Sequence, residues 1–185
     1  MIAQELPNAR LHRLDRAQYH RLGELGFFDG RRVELIRGIV VDMGPIGPPH
    51  ASVVDALAEI FFSGAGARAT VRVQQPLVAW DESEPEPDLA LVPKDRYSER
   101  HPDRALLVVE VSESSLEYDR DTKGPLYARS GVPEYWVVDV VGRTVLVHRE
   151  PSEDGYGRVE HVAAPVTLSV VEFPELFVRV ADLFG

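Results

Sequence analysis

Three carboxylates and one lysine occupy positions from which their side chains could act together. Glu110 lies inside the apolar run "LLVVEV", and Asp88 begins the apolar run "DLALV". A carboxylate inside such a run costs several kcal/mol unless a cation or hydrogen bonds compensate it. Glu34 falls in a predicted hairpin, and Lys123 is one of only two lysines, the other being Lys94. Oxygen donors beside a single ammonium are suited to binding a divalent cation.

The chemistry that this group favours is metal-assisted hydrolysis. Carboxylate oxygens are the ligands that Mg²⁺ and Mn²⁺ prefer, and such a metal polarises a phosphate and lowers the pKa of a bound water. A lysine ammonium can orient that water or stabilise the charge of the transition state. An aspartate opening one strand, Glu110 in the next strand and Lys123 on the following helix form the arrangement that phosphodiester cleavage requires. The carbonyl of Val111 is a further candidate ligand, and Ser112 shares a strand face with Glu110 because side chains alternate.

Each of these residues also has a purely structural interpretation. Glu110 could form a buried salt bridge with Lys123 or an arginine, and Asp88 could be a turn residue at the entry to a strand. Glu34 could be solvated at a hairpin edge. Lys123 could pair on a helix surface with Asp119, four residues earlier. The isolation of Lys123 among arginines favours a functional role, since arginine does not replace lysine at a water-orienting position.

Other polar and aromatic side chains are candidates for the surroundings of the site. His50 begins a predicted helix after the loop "GPIGPP", where a helix N-terminus attracts anions, so its imidazole could contact phosphate or could simply lie at the surface. Gln75 is a candidate to support the site through hydrogen bonds. Three aromatic residues are expected to pack a helix against the sheet rather than stack on bases: Tyr127, Tyr135 and Trp136. The remaining histidines show no ligand spacing: His12, His20, His101, His148 and His161.

Three helices are expected to position these residues. The first covers "LDRAQYHRLGELG", with Asp15 as N-cap and Gly26 near its end. The second covers "HASVVDALAEIFF", whose apolar residues recur at helical spacing before two glycines. The third covers "LEYDRDTKGPLYARSG", where Gly124-Pro125 is expected to interrupt or restart the helix. Lys123 therefore falls just before the expected interruption.

The strands are predicted from apolar runs and turn signals. A first hairpin covers "RRVELIRGIVVDM" and turns at Arg37-Gly38, and a second joins "EYWVVDV" to "TVLVHRE". Alternation in "TVRVQQPLVAW" predicts another strand, and "DLALV" and "ALLVVEV" are typical of buried strands. These elements predict one mixed α/β domain over residues 1–185, with a central sheet, an N-terminal β-hairpin and a loose tail at 1–11.

Composition restricts the classes of function. A chain of 185 residues suits one domain, and its net charge of −10 argues against coating nucleic acid by bulk attraction. Metal ions held by acidic residues would still allow a phosphate to bind. The absence of cysteine excludes disulfides and thiolate zinc sites. With no signal-peptide pattern and no apolar run near the roughly 20 residues of a membrane span, we expect a cytoplasmic protein without membrane contact.

The order of several segments resembles the Uma family of restriction endonuclease-like proteins, within the PD-(D/E)XK nuclease superfamily. The segments are "VELIRGIVVDM", "PPHASVV", "EPDLALV", "LLVVEVSESS", "DTKGPLYARSGVPEYWVVD" and "TVLVHR". The resemblance extends from about residue 12 to the C-terminus, and "YARSGVPEYWVVD" is its most distinctive part. It implies a restriction endonuclease-like α/β fold, in which helices flank a central mixed β-sheet.

The resemblance also implies a role for each candidate residue. The dipeptide ending at Asp88 matches the "PD" element, Glu110 matches the acidic member of the second half-motif, and Glu34 matches an additional acidic residue of the family. Ser112 stands where the superfamily pattern has lysine. In this family the lysine lies on the next helix, where this chain has Lys123. Because the lysine has moved, the resemblance supports a metal site more firmly than an active nuclease.

Two functions of different classes follow. The first is a Mg²⁺- or Mn²⁺-dependent endonuclease, with metal ligands Asp88, Glu110, Val111 and Glu34 and with Lys123 assisting the attacking water. The second is a catalytically inactive nuclease-fold module for binding or assembly, which the lack of a basic face favours. Retention of Lys123 favours the nuclease. We expect nucleic acid as the partner, DNA rather than RNA, and a homodimer in which two sites meet both strands.

Overall fold

The computed structural model describes residues 11–185, and its first element is the short helix α1 (Arg16–Glu24). Asp15 is the N-cap: its carboxylate accepts a hydrogen bond from the Gln18 N–H at 2.8 Å. The Gln18 side-chain oxygen in turn accepts a hydrogen bond from the Asp15 N–H at 3.1 Å, which completes a capping box. The predicted N-cap is therefore confirmed. The loose tail predicted at 1–11 lies, except for Leu11, outside the described residues.

An antiparallel hairpin follows, formed by β1 (Val33–Ile36) and β2 (Ile39–Asp42). Its turn is Arg37-Gly38, as predicted, with φ values of 51° and 76°. Positive φ at both central residues is typical of the tight hairpin turns that match strand twist. Glycine is required at 38 because a Cβ there would collide with the side chain of Arg13.

A six-stranded mixed sheet forms the centre of the fold, in the order β3-β4-β5-β6-β7-β8. Only the β5–β6 pair is parallel, and the other neighbours are antiparallel. The bounds are β3 (Ala69–Val73), β4 (Leu89–Pro93), β5 (Leu107–Ser112), β6 (Glu134–Asp139), β7 (Thr144–Ser152) and β8 (Gly155–Ala163). A second small hairpin joins β9 (Thr167–Val170) to β10 (Phe173–Arg179), followed by a 3₁₀ turn at Val180–Leu183.

Helices cover both faces of this sheet. On one face, α2 (Pro48–Ala65) packs Leu57 and Phe61 onto the sheet residue Trp136, within the main core cluster. On the other face, Tyr127 packs near Tyr135, with ring centroids 5.0 Å apart. All three sheet-facing aromatic residues are fully buried, so the predicted packing role is confirmed. The predicted fold class, a mixed α/β arrangement with a central sheet and an N-terminal hairpin, is confirmed as well.

The helical segment 116–129 differs from its prediction in one respect. It consists of α3 (Leu116–Tyr118), a π-helical turn (Asp119–Lys123) and α4 (Gly124–Arg129) without a break. Gly124 stays helical, with φ −53° and ψ −56°, and Pro125 lies in the first turn of α4. Because the segment is continuous, Pro125, which has no N–H, donates no backbone hydrogen bond to the preceding turn, yet the helix continues through it.

The strand predicted over "TVRVQQPLVAW" is shorter than expected. β3 ends at Val73 because Gln74 adopts a φ of 49° and Pro76 follows, neither of which continues a strand. In the part of the chain that is described, no helix combines the length and the apolar character needed to cross a membrane.

Candidate active site

A cleft of about 310 Å³ opens where β4 begins and β5 ends, between the β1–β2 hairpin, the start of α2 and the segment 116–129. Its lining includes six of the residues predicted for the site: Glu34, His50, Asp88, Glu110, Val111 and Lys123. The fold thus brings together residues that are up to 89 positions apart in the chain (34 to 123). Two predicted residues, Ser112 and Gln75, are not part of the lining.

Lys123 is the central cation of the cleft. Its Nζ lies 3.0 Å from Glu110 Oε1 and 3.1 Å from Glu34 Oε2, and the residue is only 4% exposed. Burial alone lowers the pKa of Lys123, but the charges of Glu110 and Glu34 outweigh it and raise the pKa above its usual value. The ammonium therefore stays protonated. The alternative of a surface pair with Asp119 does not describe this geometry, since both side chains are buried and Lys123 contacts the two glutamates.

The π-helical turn is what aims Lys123 into the cleft. The Gly124 N–H donates a hydrogen bond to the Asp119 carbonyl, five residues earlier. In an α-helix it would donate to the carbonyl four residues earlier. Such a bulge rotates the following side chains relative to a regular helix, and π-bulges are frequent at functional sites. A regular helix would present a different face at position 123. Here the turn directs Lys123 toward β1 and β5.

Glu110 is held on one side only. Its Oε1 accepts hydrogen bonds from Lys123 and from the Tyr127 hydroxyl at 2.8 Å, whereas Oε2 accepts none within residues 11–185. Burial raises the pKa of Glu110 well above its usual value, the Lys123 ammonium lowers it, and the neighbouring carboxylates, Asp119 and Asp88 among them, raise it. Burial and like charge together exceed what one ammonium compensates. The glutamate is therefore short of positive charge.

Glu34 is fully engaged with protein groups. Its Oε1 accepts from the Tyr118 hydroxyl at 3.2 Å, and its Oε2 contacts Lys123 and accepts from the Glu86 N–H at 3.2 Å. Only 2% of the residue is exposed, so the alternative of a solvated hairpin edge does not apply. Tyr118 also lies beside the ammonium, with Lys123 Nζ 5.7 Å from its ring centroid. Glu34 thus connects the N-terminal hairpin to the helical segment.

Asp88 joins the ends of β4 and β5. Its Oδ2 accepts from the Val111 N–H at 2.8 Å, and its Oδ1 lies 3.0 Å from His50 Nε2 and 3.3 Å from Gln74 Nε2. Both backbone groups of a strand residue point toward the same neighbour, so the Val111 carbonyl faces the side of Asp88. This places the predicted carbonyl ligand beside the carboxylate. Asp88 is more than a strand-entry turn residue.

His50 lies in the first turn of α2, with its ring half-buried at the cleft. The hydrogen bond with Asp88 raises the pKa of His50, burial lowers it, and the charges of Asp88 and Glu113 raise it further. Gly47, the N-cap of α2, has no side chain, and a Cβ there would lie 2.7 Å from Glu113 Oε2. The pairing with Asp88 favours an imidazolium at the rim of the cleft.

Two predicted supporting residues are placed differently. Ser112 is buried behind the cleft and donates to Asp119 Oδ2 at 2.7 Å, so it contacts the helical segment. Gln75 is exposed and does not line the cleft, and its supporting role stays a prediction. Gln74 occupies the expected place, since its side chain donates to Asp88. The left-handed backbone at Gln74, with a φ of 49°, ends the strand, so alternation counted through it misplaces the side chain by one residue.

Several residues that support the site were not predicted from the sequence. Tyr118 lines the cleft and Tyr127 lies outside its lining, and their hydroxyls donate to Glu34 and Glu110 respectively. The hydroxyl of a buried tyrosine usually forms a hydrogen bond, so the expected burial of a tyrosine was the sequence feature that indicated such a role. Asp119 had been considered only as a surface partner of Lys123, whereas its Oδ2 accepts from Ser112 and from a second serine, Ser115.

The cleft carries an excess of negative charge. Seven acidic residues line it, against three residues that can be cationic: Arg32, His50 and Lys123. The acidic set is Glu34, Asp42, Glu86, Asp88, Glu110, Glu113 and Asp119. Burial raises the pKa of the half-buried Glu86, Arg32 lowers it, and Glu34 raises it. A divalent cation would relieve this imbalance.

The donor set fits a hard divalent cation. Within residues 11–185 no three His, Cys, Asp or Glu side chains converge on one point as a ready-made cage. Mg²⁺ seldom needs one, because it is usually held by one or two carboxylates together with waters and substrate phosphates. A carboxylate offers about four lone-pair sites. Glu110 keeps Oε2 without a hydrogen bond, and Asp88 Oδ2 accepts only one, from Val111.

Comparison with known proteins identifies the fold. A crystal structure of a putative nuclease of Anabaena variabilis ATCC 29413, described as belonging to DUF820, superposes with a TM-score of 0.77. The match covers 92% of this chain and 97% of that one at 17% sequence identity, so the likeness concerns the fold. The predicted restriction endonuclease-like fold is confirmed by it. Among curated proteins, none matches this chain.

The family is identified by sequence. A protein-family model described as "Uma2: Putative restriction endonuclease" matches residues 16–181. This range contains every segment that lines the cleft, from the hairpin residue Arg32 to Lys123. The predicted family resemblance is therefore confirmed. With nearly its whole length matched, including both motif carboxylates and the helix-borne lysine, the chain belongs to the Uma2 family of putative restriction endonucleases.

Proposed function

We propose that this protein is a Mg²⁺- or Mn²⁺-dependent endonuclease that hydrolyses phosphodiester bonds in the acidic cleft. The observation that carries the proposal is the buried ammonium of Lys123, held between Glu110 and Glu34 beside Asp88. The Lys123–Glu110 contact is the buried salt bridge that a purely structural role would also produce. The opening of the cleft beside it favours hydrolysis, because an ammonium there would stabilise the charge that develops on the phosphate during the reaction.

The cation would be held by Glu110 Oε2, Asp88 Oδ2 and the Val111 carbonyl, which are oxygen donors of the type that Mg²⁺ and Mn²⁺ prefer. When bound, it would polarise the phosphate and lower the pKa of a coordinated water. Both oxygens of Glu34 already accept hydrogen bonds, so we assign Glu34 first to holding Lys123. Its predicted role as a metal ligand stays a prediction.

Lys123 and His50 supply the remaining functions. An ammonium has three donors, of which Lys123 uses two on Glu110 and Glu34, leaving one for the attacking water or a phosphate oxygen. His50 stays close to Asp88, and as an imidazolium it would contact a phosphate oxygen at the start of α2. Tyr127 fixes the orientation of Glu110. These groups orient substrate and water before the reaction.

The substrate that we propose is nucleic acid, because the family and the fold are those of nucleases. DNA rather than RNA, a homodimer and a cytoplasmic location remain predictions from the sequence. So does the organisation of residues 1–185 as a single domain. The alternative remains a non-catalytic binding module. The following experiment distinguishes it from an endonuclease.

The proposal is tested by cleavage of supercoiled plasmid, linear duplex, single-stranded DNA and RNA, each with Mg²⁺, Mn²⁺ or EDTA. Lys123→Ala and Glu110→Gln are compared with wild type, and Lys94→Ala is the matched control, since Lys94 is exposed on the β4–β5 loop. We expect metal-dependent cutting that both cleft variants lose by about 10²- to 10³-fold and that the control keeps.

Two results would contradict the proposal. Cutting that survives Glu110→Gln at the wild-type rate would place the activity outside this cleft. Absence of cutting on every substrate, from wild-type protein that binds Mn²⁺, would favour the inactive nuclease-fold module.

A further inference from the structure

A second pocket of about 510 Å³ lies between the turn of the β1–β2 hairpin and α4. Three arginines line it, Arg13, Arg37 and Arg129, together with the tryptophan Trp80. This composition differs from that of the acidic cleft, where acidic residues outnumber cationic ones. In a chain with a net charge of −10, a local group of arginines needs a physical explanation.

All three arginines are exposed, and none forms a salt bridge within residues 11–185. Arg13 donates from Nη1 to the Arg37 carbonyl, whereas the Arg37 and Arg129 guanidinium groups donate no hydrogen bond within this range and are available to a ligand. The Arg129 guanidinium lies over the Trp80 ring, 4.8 Å from its centroid, and Trp80 is 47% exposed. Two carboxylates, Asp81 and Glu82, also line the pocket without pairing to the arginines.

The backbone around the pocket is fixed by hydrogen bonds between three segments. The Gly38 N–H donates to the Glu82 carbonyl at 2.7 Å, and the Leu14 N–H donates to the Gly38 carbonyl at 3.0 Å. The Arg37 N–H donates to Ser83 Oγ at 2.8 Å. Because these segments are tied together, the backbone at Arg13 and Arg37 is held in place, which lowers the entropy cost of binding.

The pocket and the cleft share two structural elements. Three residues separate Glu34 in the cleft from Arg37 in the pocket, or about 10 Å along a strand. Six residues separate Lys123 from Arg129, or about 9 Å along a helix. Between the two sites, Ile36 and Leu126 belong to one apolar cluster. A polymer with a charge every few ångströms per strand could contact both sites at once.

We propose that this pocket binds the nucleic-acid strand that flanks the scissile phosphate, with the arginines on phosphates and Trp80 stacked on a base. Cationic grooves with an aromatic platform are the means by which proteins hold single strands without reading sequence. Arginine also stacks on aromatic faces, as Arg129 does here. The inference rests on the proposed function, because it assigns the pocket to the substrate of the cleft.

The test is the binding of a fluorescein-labelled 12-nucleotide single strand, as DNA and as RNA, measured by anisotropy in EDTA so that no cleavage occurs. The variants are Arg37→Ala, Arg129→Ala and Trp80→Ala. Arg143→Ala is the matched control, since Arg143 is exposed in a hairpin turn with φ 53°, like Arg37 with φ 51°, and lies over the ring of Phe184. Both arginine-to-alanine changes at positive φ carry the same backbone strain.

We expect each pocket variant to weaken binding about tenfold on both probes, and the control to leave it unchanged. Each lost phosphate contact should reduce the slope of log K against log salt by about 0.7 for a single strand. Equal affinity in Arg37→Ala, Arg129→Ala and wild type would overturn the proposal, as would failure of wild type to bind either probe.

Tryptophan fluorescence gives an independent readout at the pocket itself. The chain has two tryptophans, Trp80 exposed and Trp136 fully buried, so stacking should quench the former and leave the latter. We expect the unlabelled strand to quench wild-type emission, and Trp80→Phe to abolish the quenching. Quenching by inorganic phosphate alone to the same extent would show a small-anion site and overturn the proposal.

These results are separable from the proposed function. If Glu110→Gln loses cleavage while substitution of the pocket arginines leaves binding unchanged, the proposed nuclease activity stands and the proposed strand binding by the pocket is contradicted. If binding depends on Arg37 and Arg129 but wild type cuts no substrate, the strand binding stands and the nuclease activity is contradicted.

Discussion

Glu110 and Glu134 are both buried glutamates on β5 and β6, the two parallel neighbours at the centre of the sheet, but their surroundings differ. Glu134 Oε1 accepts from Trp136 Nε1 at 3.0 Å and from the Arg149 guanidinium at 3.0 and 2.6 Å. Its Oε2 accepts from the Val171 N–H at 2.7 Å. Both oxygens are thus satisfied by the protein.

One oxygen of Glu110 is left without a protein donor within the described chain, and the residue lines the cleft. The other oxygen accepts from Lys123 and Tyr127. Glu134, by contrast, lines neither of the two pockets, and Arg149 links it to the β9–β10 hairpin through the Ser169 carbonyl. Burial alone does not distinguish a functional carboxylate from a structural one. The distinction lies in what the protein leaves free.

The largest difference should appear in catalysis. Glu110→Gln should lower the cleavage rate by about 10²- to 10³-fold, because it removes a charge that the proposed cation requires. Glu134→Gln should leave the rate per folded molecule unchanged. Single-turnover cleavage, normalised to folded protein by circular dichroism, measures both. Equal losses in the two variants would remove the distinction between these glutamates.

Stability should show the reverse order. Glu134→Gln should reduce the free energy of unfolding by about 3 kcal/mol, because it leaves the Arg149 guanidinium without its buried partner. Glu110→Gln should cost much less, since it removes one charge from a crowded acidic group. Urea denaturation measures both values. In the double variant Glu134→Gln, Arg149→Met part of the loss should return, and strict additivity would argue against a coupled pair.

A smaller effect is expected at the tyrosine that holds Glu110. Tyr127→Phe removes one hydrogen bond, so stability should fall by about 1 kcal/mol and cleavage by about tenfold as Glu110 loses its orientation. Tyr156→Phe is the control, because its hydroxyl donates to the Val132 carbonyl at 2.9 Å, outside the cleft. It should cost similar stability without changing the rate. A rate loss of the same size in Tyr156→Phe would indicate a general effect of softening the fold.

The smallest effect is a difference in pH dependence. Burial raises the pKa of Glu110 above its usual value of 4.5, so the folded state holds this proton more tightly than the unfolded state. The stabilisation is complete below pH 4.5 and is lost as the pH rises through the folded-state pKa. Urea titrations at several pH values should show a decline in wild type and in Glu134→Gln that is reduced in Glu110→Gln. An unchanged decline in Glu110→Gln would assign it to other groups.

Much of the fold could be predicted because its signals are local. The capping box at Asp15 and Gln18 and the hairpin turn at Arg37-Gly38 each depend on a few adjacent residues. Strands β8, β9 and β10 were not predicted. The exposed strand β8 alternates weakly, contains two glycines and forms because β7 pairs with it along its length. Pairing of this kind has no signal in the strand itself.

The site was predicted in part for the same reason. Charge inside an apolar run identified Glu110, and the scarcity of lysine in the chain indicated Lys123. The family resemblance then supported both residues and Glu34. No sequence pattern predicted the π-helical turn that orients Lys123. The left-handed backbone at Gln74 places the supporting amide at that residue instead of at the expected Gln75. Tertiary contacts determine both features.

The most direct test of the account is Mn²⁺ binding, measured by electron paramagnetic resonance on wild type, Glu110→Gln and Glu134→Gln at equal concentrations of folded protein. Free Mn²⁺ gives a strong signal that binding removes. If Glu110 holds the metal, wild type and Glu134→Gln should take up Mn²⁺ alike, and Glu110→Gln should lose this uptake. Equal uptake by all three proteins, or none by wild type, would contradict the claim that the cleft at Glu110 is a metal centre.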